Sequence, residues 1–214
     1  MNVYDAVMEN HLISIVRGIE KNDILPLAQA LYDGGIRLVE VTMNTKDASE
    51  MISLLNEQFE GKLLIGAGTV LDVETAQRAY SAGATYFITP NVDEEVIQFA
   101  LDHTIGILPG VMTPSEVVHA YKAGARMVKV FPTSSLGSTY IKELQGPLSH
   151  IPMVAVGGIT PENVAAFIKA GAVGVGVGGS LIDKTAIKQG DFKSITEKAA
   201  LFLENIKGVK NERS

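Results

Sequence analysis

The chain has 214 residues, a net charge of −6, 46% hydrophobic and 20% charged residues, and no cysteine. That length can build a sizeable core, and one domain spanning 1–214 is expected. The missing thiols exclude disulfides, zinc–thiolate sites and a thiol nucleophile, and the acidic balance gives no footprint for nucleic acid, so any anionic substrate must be held by local donors. No apolar run approaches the roughly 20 residues of a membrane helix. MNVYDAVMENH (1–11) carries acids and no long apolar stretch, so no signal peptide and no membrane partner are expected, and the cytoplasm is the expected location.

In chain order, the first ten residues read as a small amphipathic helix. Eight short apolar runs follow: LISIVRG (12–18), LVEVTMN (38–44), LLIGAGTV (63–70), YFITPN (86–91), GILPGV (106–111), MVKVFP (127–132), MVAVGGI (153–159) and GVGVGG (174–179). Their starts lie 20–26 residues apart, room for one strand and one helix per step. Between them, NDILPLAQALYDGG, LDVETAQRAYSAGA, NVDEEVIQFALDH, MTPSEVVHAYKAGA and ITPENVAAFIKAGA each open on a capping residue and carry an apolar stripe. Ala-Gly-Ala recurs at 82–84, 123–125 and 170–172, with Gly-Gly-Ile at 34–36, where glycine fits a helix C-cap. The tail GVKNERS (208–214) is polar and expected to fray.

Eight such units predict an α/β fold, a closed (β/α)8 TIM barrel of parallel strands with the short N-terminal helix closing its bottom. An open doubly wound sheet is the alternative. GVGVGG matches a G-x-G-x-x-G spacing, but it lies near the end of the chain without the following βαβ unit that a dinucleotide site requires.

Two of the runs contain a charge in their middle: Lys129 in MVKVFP and Glu40 in LVEVTMN. Strand alternation puts Lys129 on one face with Met127 and Phe131, and Glu40 with Leu38, Thr42 and Asn44. A buried charge is costly unless paired, neutralised or used. Burial lowers a lysine pKa and frees a neutral amine, the state that a Schiff-base nucleophile needs. Glu40 is then either its acid/base partner or only its salt-bridge partner. The polar ends of the neighbouring strands favour catalysis.

In a barrel of this kind chemistry sits at the carboxyl ends of the strands. There Arg17 is the best candidate for a substrate carboxylate, with a surface ion pair as the alternative, and Thr69 and Asn44 are either hydrogen-bond donors or structural groups. The glycines ending the last two strands, Gly157-Gly158 and Gly178-Gly179, together with Ser180, read as a phosphate cradle rather than as tight turns alone. His11, His103, His119 and His150 form no metal-spaced cluster, and no metal is expected.

With these residues in place, VEVT, IGAGTV, ITPN, PGVMTP, VKVFP, VGGITPEN and GVGVGGS occur in an order that resembles the class I 2-keto-3-deoxy-6-phosphogluconate (KDPG) aldolase family. That family also holds the 2-keto-3-deoxy-6-phosphogalactonate (KDPGal) and 4-hydroxy-2-oxoglutarate aldolases. The resemblance implies that Lys129 forms a Schiff base and Glu40 is the general acid/base. It implies that Thr69, Pro90 and Phe131 line the pyruvate end, and that Gly157, Gly158, Gly179 and Ser180 hold a phosphate. It further implies a homotrimer, a phosphorylated keto-acid substrate, no metal and no organic cofactor. Many KDPG aldolases carry an arginine four positions after the strand-2 glutamate. Here that position is Asn44, so the carboxylate falls to Arg17. Arg17, Asn44 and Val156 look more like the KDPGal branch. Another phosphosugar barrel enzyme, or a barrel that only binds a phosphometabolite, would share the phosphate loops without needing an imine.

Overall fold

In the computed structural model, which describes residues 2–211, every strand is parallel to its neighbours. The strands are β1 (Leu12–Val16), β2 (Leu38–Thr42), β3 (Leu64–Gly68), β4 (Tyr86–Ile88), β5 (Gly106–Leu108), β6 (Gly110–Val111), β7 (Val128–Val130), β8 (Met153–Val156) and β9 (Gly174–Val177). Their order is β5-β4-β3-β2-β1-β9-β8-β7-β6. The two ends of that order are halves of one expected strand, interrupted at Pro109, which has no N–H to give to a ladder. β5 bonds to β4 and β6 to β7, and chain continuity across Pro109 closes the barrel. The eight expected strands are therefore all present.

The helices are α1 (Val3–Asn10), α2 (Ile24–Asp33), α3 (Ala48–Gln58), α4 (Val73–Ser81), α5 (Glu94–Asp102), α6 (Pro114–Lys122), α7 (Gly137–Leu148), α8 (Val164–Lys169), α9 (Lys184–Lys188) and α10 (Phe192–Asn211). Local sequence sets their starts. Asp72 and Asp93 cap α4 and α5 through Thr75 and Val96 N–H, and Thr113 with Glu116 forms a capping box on α6. Asp23 precedes α2 without a side-chain cap, because a short 3₁₀ turn (Lys21–Asp23) leads into that helix instead. The Ala-Gly-Ala glycines stop the helices as expected: Gly83, Gly124 and Gly171 have φ of 92°, 105° and 108°. The expected fraying of the tail does not extend to 208–211, which belong to α10; the rest of that expectation, 212–214, lies outside the described residues. Among the described residues no helix is long and apolar enough to cross a membrane.

Two apolar layers follow from strand alternation. Outward-facing Val16, Val39, Val41, Ile65, Ala67 and Val130 pack against the helices. Inward-facing Ile13, Leu38, Tyr86, Leu108, Met127 and Val154 join Val3, Ala6 and Val7 of α1, which plugs the amino end of the barrel. The long α10 lies against α2 and α8, burying Ile195, Ala199, Phe202 and Ile206 at helical spacing. With one end of the barrel stoppered by apolar side chains, access is left to the carboxyl ends of the strands.

Candidate active site

At those carboxyl ends lies a cavity of about 410 Å³, lined among others by Arg17, Glu40, Lys129, Phe131, Gly157, Gly158, Gly179 and Ser180. Lys129 projects inward from β7, as alternation with Met127 and Phe131 requires, and its ammonium sits 4.6 Å from the centre of the Phe131 ring. Glu40 projects inward from β2. It reaches the interior because β3 opposite carries Gly66 and Gly68: a Cβ on Gly68 would overlap the Glu40 carboxyl group. Only 1% of Glu40 and 5% of Lys129 is exposed.

Burial dominates the electrostatics of this pair. It pushes the Glu40 carboxyl up to about 7, against the pull of Lys129 and Arg17, and it lowers the Lys129 ammonium, against Glu40. Both shifts favour the uncharged forms, so the interior supplies an amine able to attack a carbonyl and a carboxyl group poised near neutrality.

Arg17 follows β1 at the mouth, and its Nη2 donates to the Thr69 hydroxyl at 3.3 Å. Thr69 comes directly after β3 with φ 55°, a left-handed conformation that costs a branched residue of order 1 kcal/mol and marks a built position. Pro90 follows β4, half-buried, with its carbonyl against Gly110. Neither Thr69 nor Pro90 is among the residues that line the cavity itself. Asn44 is exposed in the turn after β2 and, like Thr69 and Pro90, is not among the residues that line the cavity.

The β8 and β9 ends form the other wall. Gly157 and Gly158 have φ of 109° and 71°, so the loop after β8 needs residues without a Cβ. The Ser180 hydroxyl donates to the Ile159 carbonyl and so ties the two loops together. Its side chain is a strut, and the backbone beside it is unpaired on its donor side: neither the Gly179 nor the Ser180 N–H donates to a backbone carbonyl among the described residues. Leu181 and Ile182 both bond back to Gly178 at 2.9 Å, making the expected helical turn.

Several supporting residues were not singled out from sequence. Thr133 is buried, donates to the Gly157 carbonyl at 2.7 Å and holds the β7 and β8 ends together. Thr45 accepts from the Gly18 N–H at 2.9 Å and pairs with Thr42 at 3.0 Å, fixing the loop that carries Arg17. Lys184, at the start of α9, brings its ammonium over Gly18 and lines the cavity beside the glycine loops. It directly follows Asp183, whose side chain caps α9, and a basic residue just after an Asp cap near the last glycine loop is the signal that the sequence carries.

The chain is similar to proteins already known. A family model described as KDPG and KHG aldolase matches residues 3–198. The 2-dehydro-3-deoxy-6-phosphogalactonate aldolase of Escherichia coli (strain K12) is 40% identical over 171 residues, covering 79% of this chain and 83% of that relative. A KDPG aldolase from Legionella pneumophila, solved with pyruvate captured as a covalent carbinolamine, superposes with a TM-score of 0.83 at 30% identity over 91% of this chain and 95% of that one. A porous protein cage designed by fusing symmetric oligomeric domains superposes with a TM-score of 0.87 at 35% identity, over 94% of this chain and 74% of that one. A lysine and a glutamate buried together at the open end of the barrel, under glycine loops at β8 and β9, thus sit in a chain that belongs to the KDPG and KHG aldolase family.

Proposed function

We propose that this chain is a class I aldolase that cleaves a six-carbon 2-keto-3-deoxy-6-phospho-sugar acid to pyruvate and glyceraldehyde 3-phosphate. The observation that carries the reading is the buried Lys129–Glu40 pair, in which burial favours a neutral amine beside a carboxyl group poised at about 7. The neutral Lys129 amine attacks the C2 ketone, and loss of water gives an iminium. Glu40 takes the C4 hydroxyl proton, the C3–C4 bond breaks, and its electron pair flows into the iminium to give an enamine. The aldehyde leaves, C3 is protonated, and hydrolysis returns pyruvate and the free lysine. Arg17 binds the substrate carboxylate, with Thr69, Pro90 and Phe131 around the pyruvate unit.

The N–H groups of Gly157, Gly158, Gly179 and Ser180 hold the phosphate, and Lys184 adds a cation at the same end. Gly179 supports this: its φ is ordinary and a Cβ there would meet nothing within 4 Å, so the protein itself does not demand a glycine. An anion lying against its N–H does. Arg17, Asn44 and Val156 favour the galactonate-series epimer, as does the likeness to the Escherichia coli phosphogalactonate aldolase. The ratio of kcat/KM for the two C4 epimers tests that preference. Activity on unphosphorylated 4-hydroxy-2-oxoglutarate is expected to be weaker, because nothing then occupies the glycine loops.

The chain works as a trimer in this reading. Exposed Leu71, Val73, Tyr80, Leu101, Met112 and Tyr121 lie on or beside α4–α6, an apolar surface of the kind buried between copies. The likeness to a cage component built from oligomeric domains points the same way. Light scattering reads the mass directly. A phosphorylated acid is retained inside cells, which suits a reaction in the cytoplasm. The decisive experiment is borohydride reduction in the presence of pyruvate, followed by peptide mass spectrometry. A pyruvate-derived adduct on Lys129 is expected, and a folded protein that gives none would overturn the imine mechanism.

A further inference from the structure

Deep in the barrel, beneath the reacting groups, two polar atoms are fully buried without a protein hydrogen-bond partner among the described residues: Glu40 Oε2 and the Tyr86 hydroxyl. Their positions are linked by strand register. Glu40 on β2 pairs with Gly66 on β3, and Ala67 and Gly68 pair with Phe87 and Ile88, which puts Gly66 beside Tyr86 on β4. Because Gly66 has no side chain, the Tyr86 ring lies across β3: a Cβ at Gly66 would overlap the outer edge of that ring. The ring thus carries its hydroxyl from β4 towards β2, the strand of Glu40. The carboxyl group leans the other way, with Oε1 over Gly68, one step nearer the mouth. Glu40 is the charged group that the Tyr86 hydroxyl senses, and the field of the carboxylate raises the tyrosine further after burial itself.

Leaving a hydroxyl and a carboxyl oxygen unpaired in an apolar interior forfeits their hydration without return, and native interiors seldom tolerate it. We propose that Tyr86 is a positioning residue for Glu40: its hydroxyl donates, through one buried water, to Oε2, and holds the carboxyl group with Oε1 directed at the substrate. This rests on Glu40 being the proton carrier. Tyr86 is not among the residues that line the cavity, so it acts through Glu40 and not on the substrate. The other charged groups facing Glu40 are Lys129 from β7 and Arg17 from the end of β1, while β3 presents only glycines to it.

The test is the pH dependence of kcat in Tyr86→Phe, which keeps the ring over Gly66 and removes only the hydroxyl. A donor to a carboxylate favours its charged form, so its loss must raise the midpoint of the acid limb, by about one pH unit, and lower kcat roughly three- to tenfold at neutral pH. KM and the borohydride-trapped pyruvate adduct stay as in the unaltered protein. In a Glu40→Gln background the same change must have no further effect on kcat. A 3-fluorotyrosine at position 86, a stronger donor of the same shape, must move the midpoint down. A tyrosine that only fills space would lower Tm in Tyr86→Phe and leave the midpoint in place, and that result overturns the proposal. So does an equal loss of kcat in the Glu40→Gln background. Normal turnover by Glu40→Gln itself would overturn both this proposal and the catalytic reading of Glu40, whereas slow turnover by Glu40→Gln with an unmoved Tyr86→Phe midpoint removes Tyr86 alone.

Discussion

The two ends of the cavity are built on opposite principles. The end at β2 and β7 works through side chains: Lys129 and Glu40 project into a dry interior, and burial sets their protonation. The end at β8 and β9 is proposed to work through backbone: its glycine loops are braced by Thr133 and Ser180, and the Gly179 and Ser180 N–H groups give no hydrogen bond to a backbone carbonyl among the described residues. A reaction centre needs groups whose proton affinity can be tuned, and only side chains in low dielectric provide that. An anion holder needs close, unchanging donors, which glycine backbone supplies. Substitutions at the first end should therefore change the rate, and those at the second should change affinity.

The largest expected effect is Lys129→Ala. It removes the proposed nucleophile, so turnover should fall by at least about a thousandfold and imine trapping should vanish. Circular dichroism should show the fold intact, since the change also removes a buried amine that burial disfavours as a cation. Measured turnover within tenfold of the unaltered protein would break the division between the two ends.

Glu40→Gln comes next, with a loss in kcat of about 10²–10⁴-fold and little change in KM. The pH profile gives a sharper reading. Acting as base, Glu40 must be ionised, and with its carboxyl at about 7 turnover should rise through that pH and fall below it. Glu40→Gln should flatten this limb. The same shift has a consequence for stability: the folded state keeps the Glu40 proton that an unfolded chain releases near its ordinary 4.5, so this group's contribution to stability falls as pH rises from 4.5 to about 7. Urea midpoints measured across that window should fall less in Glu40→Gln.

Arg17→Ala sharpens the comparison from the mouth of the site. Removing a charge-assisted hydrogen bond to a carboxylate should weaken affinity by about 10- to 100-fold. The weakening should appear with pyruvate alone as well as with the phosphorylated substrate, read as the pyruvate concentration that half-saturates borohydride trapping. A defect confined to phosphorylated substrates would move Arg17 to the other end of the cavity.

How legible each end was in the sequence follows from the same division. A charge inside an apolar run is visible in one strand, so Lys129 and Glu40 are conspicuous in the sequence; alternation groups Lys129 with Met127 and Phe131, and only the closed barrel shows that this face points inward. The repeating βα spacing gave the barrel, including α1 as its plug. Tertiary bracing was not legible: Thr45 and Thr133 act on Gly18 and Gly157, partners 27 and 24 residues away, through ordinary hydroxyls that carry no local signal. Ser180 was visible, but its hydroxyl faces the Ile159 carbonyl, which no spacing rule announces. Alternation groups Asn44 with Glu40, yet the strand ends at Thr42 and Asn44 lies exposed in the turn that follows. Alternation holds only as far as the ladder does.

The smallest expected effect is the most diagnostic of the backbone end. Gly179→Ala adds one methyl group where the protein has open space and an ordinary φ. The folded state should accept it, and by restricting the unfolded chain it should raise stability by about 0.4–1 kcal/mol. A phosphate seated on the N–H would meet that methyl group, so KM for the phosphorylated substrate should rise roughly fivefold, as expected when a hydrogen bond worth about 1 kcal/mol is weakened. Half-saturation of trapping by pyruvate should not move, because pyruvate carries nothing to that end. Thermal melting and the two saturation curves therefore give opposite signs from one substitution: a more stable protein that holds its phosphate less well. If stability and phosphate affinity instead fell together, Gly179 would be a residue of the fold, and the cradle would have to be sought in Gly157, Gly158, Ser180 and Lys184.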